Sequence, residues 1–257
     1  MANETKQLNH FSNLDFDDIK SSESPKDNIR PFKKVNFNTL SGNDYITNEA
    51  YKTLRTNIFF CGNGVKTIVL TSCNENEGKS TVSTELVKSM AEYGKKTLLI
   101  DADMRKSVML RKSIRASEVM GLSEVLSGMA QAQDVIFHTQ EANFDVMFAG
   151  HFPPNPVELI GNGTFAEMLE EFKNIYDYII IDSPPLGLVI DAAVIASFCD
   201  GAIMIVGGDK VSRKNAIEVK EQLVKSGCRL LGAVINQTEK GKLYQKRYYK
   251  SSNEYHY

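Results

Sequence analysis

The residues with the clearest chemical potential are a loop, two acidic strand ends and a string of phenols. Ser72-Cys73-Asn74-Glu75-Asn76-Glu77-Gly78-Lys79-Ser80-Thr81 follows an apolar run and precedes a helical one. A strand, a loop ending Gly-Lys-Ser-Thr and a helix N-terminus surround an anion with backbone N–H groups. On that pattern Asn76, Glu77, Gly78, Lys79, Ser80 and Thr81 are the candidate nucleotide contacts. Lys79 reaches the β and γ phosphates, and the Ser80 hydroxyl is a ligand for Mg2+. The loop's usual first glycine is replaced by Cys73. Asn76 is the non-glycine type that best tolerates a left-handed backbone.

Leu98-Leu99-Ile100-Asp101-Ala102-Asp103-Met104-Arg105 and Tyr178-Ile179-Ile180-Ile181-Asp182-Ser183-Pro184-Pro185 each end an apolar run on aspartate. In open α/β sheets ligands bind outside the carboxyl ends of strands, so both series are expected beside the phosphate loop. Asp182 is assigned to the Mg2+ shell, and Asp101 and Asp103 are the candidates for orienting an acceptor hydroxyl and completing the metal site. Phosphoryl transfer depends on positioning and charge neutralisation more than on covalent help. Five of the ten tyrosines, Tyr244, Tyr248, Tyr249, Tyr255 and Tyr257, fall in the last 14 residues.

These residues need a scaffold, and the chain supplies a regular one. β-rich runs at 67–71, 97–101, 144–148, 178–182, 202–206 and 230–235 alternate with helical stretches, which predicts parallel βαβ units. The expected fold is α/β, a doubly wound, mostly parallel sheet flanked by helices. After the first strand, Val82, Leu86, Met90 and Tyr93 share one helix face, and Gly94 ends it. Tyr51, Leu54 and Ile58 mark an earlier helix within 44–60. Residues 1–43 are polar and broken by Ser24-Pro25 and Arg30-Pro31, so they read as an arm. Residues 44–238 are the expected domain, and 239–257 a flexible, basic tail.

Composition narrows the class. At 257 residues with 42% hydrophobic content the chain can build a sizeable core, and a net charge of -2 gives no reason to expect nucleic acid as a partner. Cys61, Cys73, Cys199 and Cys228 lack metal-ligand spacing, which suits a reducing compartment. No apolar run approaches membrane-spanning length, and the N-terminus has no export pattern. A cytoplasmic protein is expected, and any membrane association would have to come through a partner.

Taken together, the phosphate loop, the Asp101/Asp103/Arg105 box, Asp182-Ser-Pro-Pro and the tyrosine tail resemble the bacterial tyrosine kinases, closest to the single-domain type serving capsule and exopolysaccharide export. Segments 121–128 and 150–160 are similar as well, so the likeness runs from about residue 44 to the end. It implies a P-loop NTPase fold with deviant Walker motifs, related to ParA and MinD, and ATP and Mg2+ as cofactors. It implies a catalytic set of Lys79, Asp101, Asp103 and Asp182, with Arg105 and Asn236 added to the nucleotide contacts. The tail tyrosines are then phosphoacceptors. Glu49, Lys52 and Arg55 are similar to the family's Glu-x-x-Arg-x-x-Arg oligomerisation motif, through which subunits form a ring; Lys52 stands for its first arginine and lacks the planar fork. The implied partners are a transmembrane polysaccharide co-polymerase that activates the kinase and a cognate phosphotyrosine phosphatase. Two alternatives stay open. A positioning ATPase of the ParA and MinD kind would carry a signature lysine where this chain has Asn74. A non-catalytic, nucleotide-dependent assembly factor would share every motif and differ only in chemistry.

Overall fold

The computed structural model describes residues 34–35, 45–110, 119–208 and 211–237. Its centre is an eight-stranded sheet with the order β1-β4-β5-β3-β6-β2-β7-β8. The strands are β1 (Lys34–Val35), β2 (Thr67–Ser72), β3 (Thr97–Asp101), β4 (Ile136–Thr139), β5 (Phe144–Met147), β6 (Tyr178–Asp182), β7 (Gly201–Gly207) and β8 (Leu230–Asn236). All pairs are parallel except β4 with β5. The six expected strands are present within a residue or two. The two additional ones are short, β1 at the edge and β4 next to it, and β1 lies inside the stretch read as a polar arm.

β2 and β3 are buried at every position, as strands covered on both faces must be. Their side chains divide between two apolar clusters, one on each face. One holds Val69, Leu98, Ile100, Ile179 and Ile181; the other holds Ile68, Leu70, Leu99 and Ile180. Helix α1 (Tyr45–Phe59) lies over α2 (Lys79–Glu92). Val82, Leu86, Val87 and Met90 of α2 are at most 2% exposed, each contributing on the order of 2 kcal/mol by leaving water. The remaining helices are α3 (Leu122–Leu126), α4 (Pro156–Ile160), α5 (Thr164–Phe172), α6 (Asp191–Ala196) and α7 (Arg213–Lys225).

Two features fix where chemistry can occur. β6 is inserted between β2 and β3, so the β2–α2–β3 crossover straddles it and leaves a crevice at the carboxyl edge. At the opposite edge, Asp200 ties the start of β2 to the turn before β7. It accepts from Lys66 N (2.9 Å), Thr67 N (2.8 Å), Thr67 Oγ1 (2.8 Å) and Lys173 Nζ (3.1 Å). The strand leading into the phosphate loop is therefore held at its root.

Candidate functional site

Between β2 and α2 the backbone makes two left-handed residues, Asn76 at φ 60° and Gly78 at φ 88°. Asparagine tolerates the first. The second favours glycine by its positive φ, and an added Cβ would also push the Asn236 side chain, 2.1 Å away at Nδ2, off the loop. Cys73, where a glycine is usual, has no positive φ, and this explains how the loop does without one. The close approach falls on the facing chain instead: a Cβ on Gly187 would lie 2.1 Å from the Cys73 carbonyl oxygen.

The loop is held by its own side chains. Glu77 is 2% exposed and turned inward, accepting from Asn74 N (2.9 Å), Asn74 Nδ2 (3.0 Å), Cys73 N (3.3 Å) and Gly207 N (3.3 Å). From behind, Asn236 Nδ2 donates to the Glu77 carbonyl at 2.9 Å, and Gln237 Nε2 donates to that of Asn76 at 3.1 Å. The Asn236 amide thus grips loop backbone at the carboxyl end of β8.

Opposite the loop, Asp101 and Asp182 are paired across β3 and β6 in one register, side by side at the carboxyl edge. Both are 1% exposed. Lys79 Nζ reaches Asp182 Oδ1 at 3.2 Å. Burial opposes the Lys79 charge, but Asp182 and then Asp103 outweigh it and hold its pKa above the ordinary value. Burial and the neighbouring Asp182 charge push the Asp101 carboxyl up to about 8, against a donated bond from Ser107. Carboxylates crowd this corner beyond what one lysine neutralises.

The segment after β3 is tied down at each step. Asp103 N donates to Asp101 Oδ1 (3.1 Å), and Arg105 N and Lys106 N donate to Asp103 Oδ1 (3.3 and 3.0 Å). The Arg105 guanidinium forms a two-pronged pair with the buried Asp191, Nε to Oδ2 at 2.8 Å and Nη2 to Oδ1 at 3.0 Å. That pair, first of all its hydrogen bonds, raises the Arg105 pKa. Lys106 Nζ meets Glu75 Oε2 of the loop at 2.6 Å across the mouth.

These elements enclose a cleft of about 200 Å³ whose lining includes Asn76, Gly78, Lys79, Ser80, Thr81, Asp101, Asp103 and Arg105. The structure therefore gathers Asn76, Gly78, Lys79, Ser80, Thr81, Asp101, Asp103 and Arg105 around one cavity, with Asp182 behind that lining, paired with Lys79. The Asn236 side chain and the Glu77 carboxylate are used inside the fold. Asp191, Ser107 and Gly187 escaped the sequence reading, since an aspartate opening a short helix or a lone serine carries no signal until tertiary structure supplies its partner. The oxygen donors suit Mg2+, which takes one or two carboxylates, a hydroxyl and phosphate oxygens. Ser80, Asp103 and Asp182 would hold it, and the crowding that raises Asp101 is what a cation would relieve.

On α1, Lys52 pairs with Glu49 at 2.7 Å on an exposed face. Arg55 folds back on the domain, donating from Nη1 to the Ser89 carbonyl at 2.7 Å and lying 4.6 Å over the Tyr93 ring. Tyr244, Tyr248, Tyr249, Tyr255 and Tyr257 lie outside the described residues. Among the described residues, no helix is long and apolar enough to cross a membrane.

Residues 65–214 match the family described as the AAA domain. The chain is 46% identical over 191 residues to the tyrosine-protein kinase CpsD of Streptococcus agalactiae, covering 74% of this chain and 83% of that one. Its fold superposes on the kinase domain of Escherichia coli tyrosine kinase ETK with a TM-score of 0.70 and 31% identity, covering 74% of each chain. The septum site-determining protein MinD of Pyrococcus horikoshii, solved with Mg-ADP, gives 0.58 at 26% identity, over 68% of this chain and 72% of that one.

Proposed function

This chain belongs to the bacterial tyrosine kinases and is a protein-tyrosine kinase, and we propose that it transfers the γ-phosphoryl group of ATP to tyrosines of its own C-terminal tail, in trans within an oligomer. The observation that carries this reading is the register pairing of Asp101 with Asp182, which holds Lys79, while Asp101 and Lys79 line one cleft with the phosphate loop. In this reading the N–H groups of residues 76–81 and Lys79 hold the triphosphate. Mg2+, held by Ser80, Asp103 and Asp182, would neutralise phosphate oxygens. A phenol with a pKa near 10 is a poor nucleophile, and Asp101 orients its hydroxyl and takes up its proton. Asp101 serves as a base only when the corner carries more positive charge than Lys79 supplies.

β8 ends at Asn236, on the same carboxyl edge as the cleft, four strand spacings from β3. At about 4.8 Å per strand the separation is ~19 Å, and the eight residues from Asn236 to Tyr244 span up to ~26 Å when extended. Reach alone permits the chain's own cleft or a neighbour's. The choice of a neighbour rests on the family resemblance, with Glu49, Lys52 and Arg55 as the ring-forming residues. Recruitment by a transmembrane polysaccharide co-polymerase, dephosphorylation by a cognate phosphatase, and control of capsular or exopolysaccharide synthesis and export belong to the same reading. Against a positioning ATPase stands Asn74, in the place of that group's signature lysine and bonded to Glu77. The test is direct: purified chain with ATP and Mg2+ should accumulate phosphotyrosine and a Lys79→Met chain should not, while phosphotyrosine in that variant overturns the site assignment.

A further inference from the structure

One wall of the cleft is not polar. Pro184, Pro185, Leu188, Val189 and Val108 line the same cavity as Asp101 and Asp103. Leu188 is 57% exposed and Val108 38%, large apolar side chains left in water at the mouth. Pro185 and Leu188 belong to the turn after β6, where Leu188 N and Val189 N both bond to the Pro185 carbonyl at 3.1 Å. That turn is braced from below, with Leu186 N donating to Thr71 Oγ1 (3.0 Å) and Thr71 Oγ1 donating to the Pro184 carbonyl (2.9 Å). The apolar wall is thus fixed relative to β2 and the phosphate loop. A triphosphate has no use for such a surface; an aromatic ring does.

The charges beside it indicate which ring. Each basic residue lining the cleft already has an acidic partner: Lys79 has Asp182, Arg105 has Asp191 and Lys106 has Glu75. Asp101 and Asp103 remain on the lining, and bound nucleotide would add further negative charge. Tyr244 sits between Lys242 and Lys246 in the sequence, and Tyr248-Tyr249 between Arg247 and Lys250. A phenol flanked by cations matches an apolar wall flanked by carboxylates. Building on the tail-phosphorylation reading, we propose that Val108, Pro185 and Leu188 form the shelf that seats the acceptor tyrosine ring of a second copy's tail, with its hydroxyl directed at Asp101 and Asp103. Acceptor selection then lies in this wall, separate from the loop that binds nucleotide.

The test uses a full-length chain whose five tail tyrosines are phenylalanine as the enzyme, and a full-length Lys79→Met chain as the acceptor. Leu188→Asn and Val108→Asn in the enzyme should each raise KM for the acceptor on the order of tenfold, the scale on which apolar pockets discriminate. Leu188→Met should restore KM to within about twofold, because a conservative swap keeps the apolar contact. The nucleotide dissociation constant, measured by titration on the same variants, should stay put. An unchanged acceptor KM in both asparagine variants overturns the shelf. So does nucleotide affinity falling in parallel, which would assign the wall to the adenine ring. Absence of phosphotyrosine with the enzyme carrying native Val108 and Leu188 removes the underlying trans reading along with the shelf, and is told apart by that control.

Discussion

Replacing Glu77 by glutamine isolates what holds the phosphate loop. The carboxylate accepts four bonds, two on Oε1 from Asn74 and two on Oε2 from Cys73 N and Gly207 N. Glutamine has one acceptor oxygen, so either rotamer turns an NH2 group toward two buried donors. The better rotamer keeps the shorter Asn74 bonds at 2.9 and 3.0 Å and sacrifices the pair at 3.3 Å. Two lost bonds to a charged group, taken at the low end of about 1.5 kcal/mol each, cost about 3 kcal/mol. Were the whole fold to carry that loss, Tm would drop by ~6–12 °C for a domain of this size class. Were the loop alone to carry it, the ordered fraction would fall and nucleotide affinity would weaken by up to ~150-fold. Scanning fluorimetry without nucleotide and calorimetric titration with it separate these limits, and their combined loss should approach 3 kcal/mol. A Tm within about 2 °C together with affinity within threefold would refute the claim that this carboxylate builds the loop.

Other consequences follow from the same geometry. Burial raises the Asp200 pKa but the N–H bonds from Thr67 and Lys66 more than offset it, leaving it below the ordinary value. Its contribution is therefore full above the unfolded value near 3.9 and fades as pH drops through the folded one. Asp200→Asn should cost on the order of 2 kcal/mol at pH 7 in urea unfolding, with the gap to the parent narrowing below about pH 4; a constant gap contradicts the assignment. Gly187→Ala drives a Cβ to 2.1 Å from the Cys73 carbonyl, so the phosphate loop must be displaced at Cys73 and nucleotide affinity should fall; an alanine variant with parental affinity would show that the contact yields freely. Burial, and then the Glu77 charge, push the Cys73 thiol up to about 11. At pH 8 only ~0.1% is thiolate, so iodoacetamide should leave Cys73 unmodified by mass spectrometry, and rapid labelling there would be inconsistent with its burial.

The sheet was legible because parallel strands buried on both faces write themselves as unbroken apolar runs, as at 97–101 and 178–182. The loop was legible because phosphate binding demands particular residue types at fixed spacing, and Asn76 took the left-handed conformation its side chain tolerates. β4 was not legible: Ile136–Thr139 is four residues long, half of them only partly buried, and it follows a short 3-10 turn. Neither was the second role of Glu77. A glutamate in the phosphate loop reads as a nucleotide contact, and its inward turn becomes visible only when β7 brings the Gly207 N–H to it. Asp191 and Arg105 are 86 residues apart in sequence, and only the adjacency of β3 and β6 makes them partners. Arg55 was legible only as part of the oligomerisation motif that the resemblance implied, and the contacts that the α1–α2 packing gives it with Ser89 and Tyr93 were not.

Phosphate transfer to the tail is the step that defines the proposed function. Removing residues 244–257 and measuring phosphotyrosine and ATP turnover on the same sample separates the acceptor from the catalytic centre. Loss of phosphotyrosine with ATP turnover retained is the predicted result; phosphotyrosine persisting at the level of the full chain would contradict it.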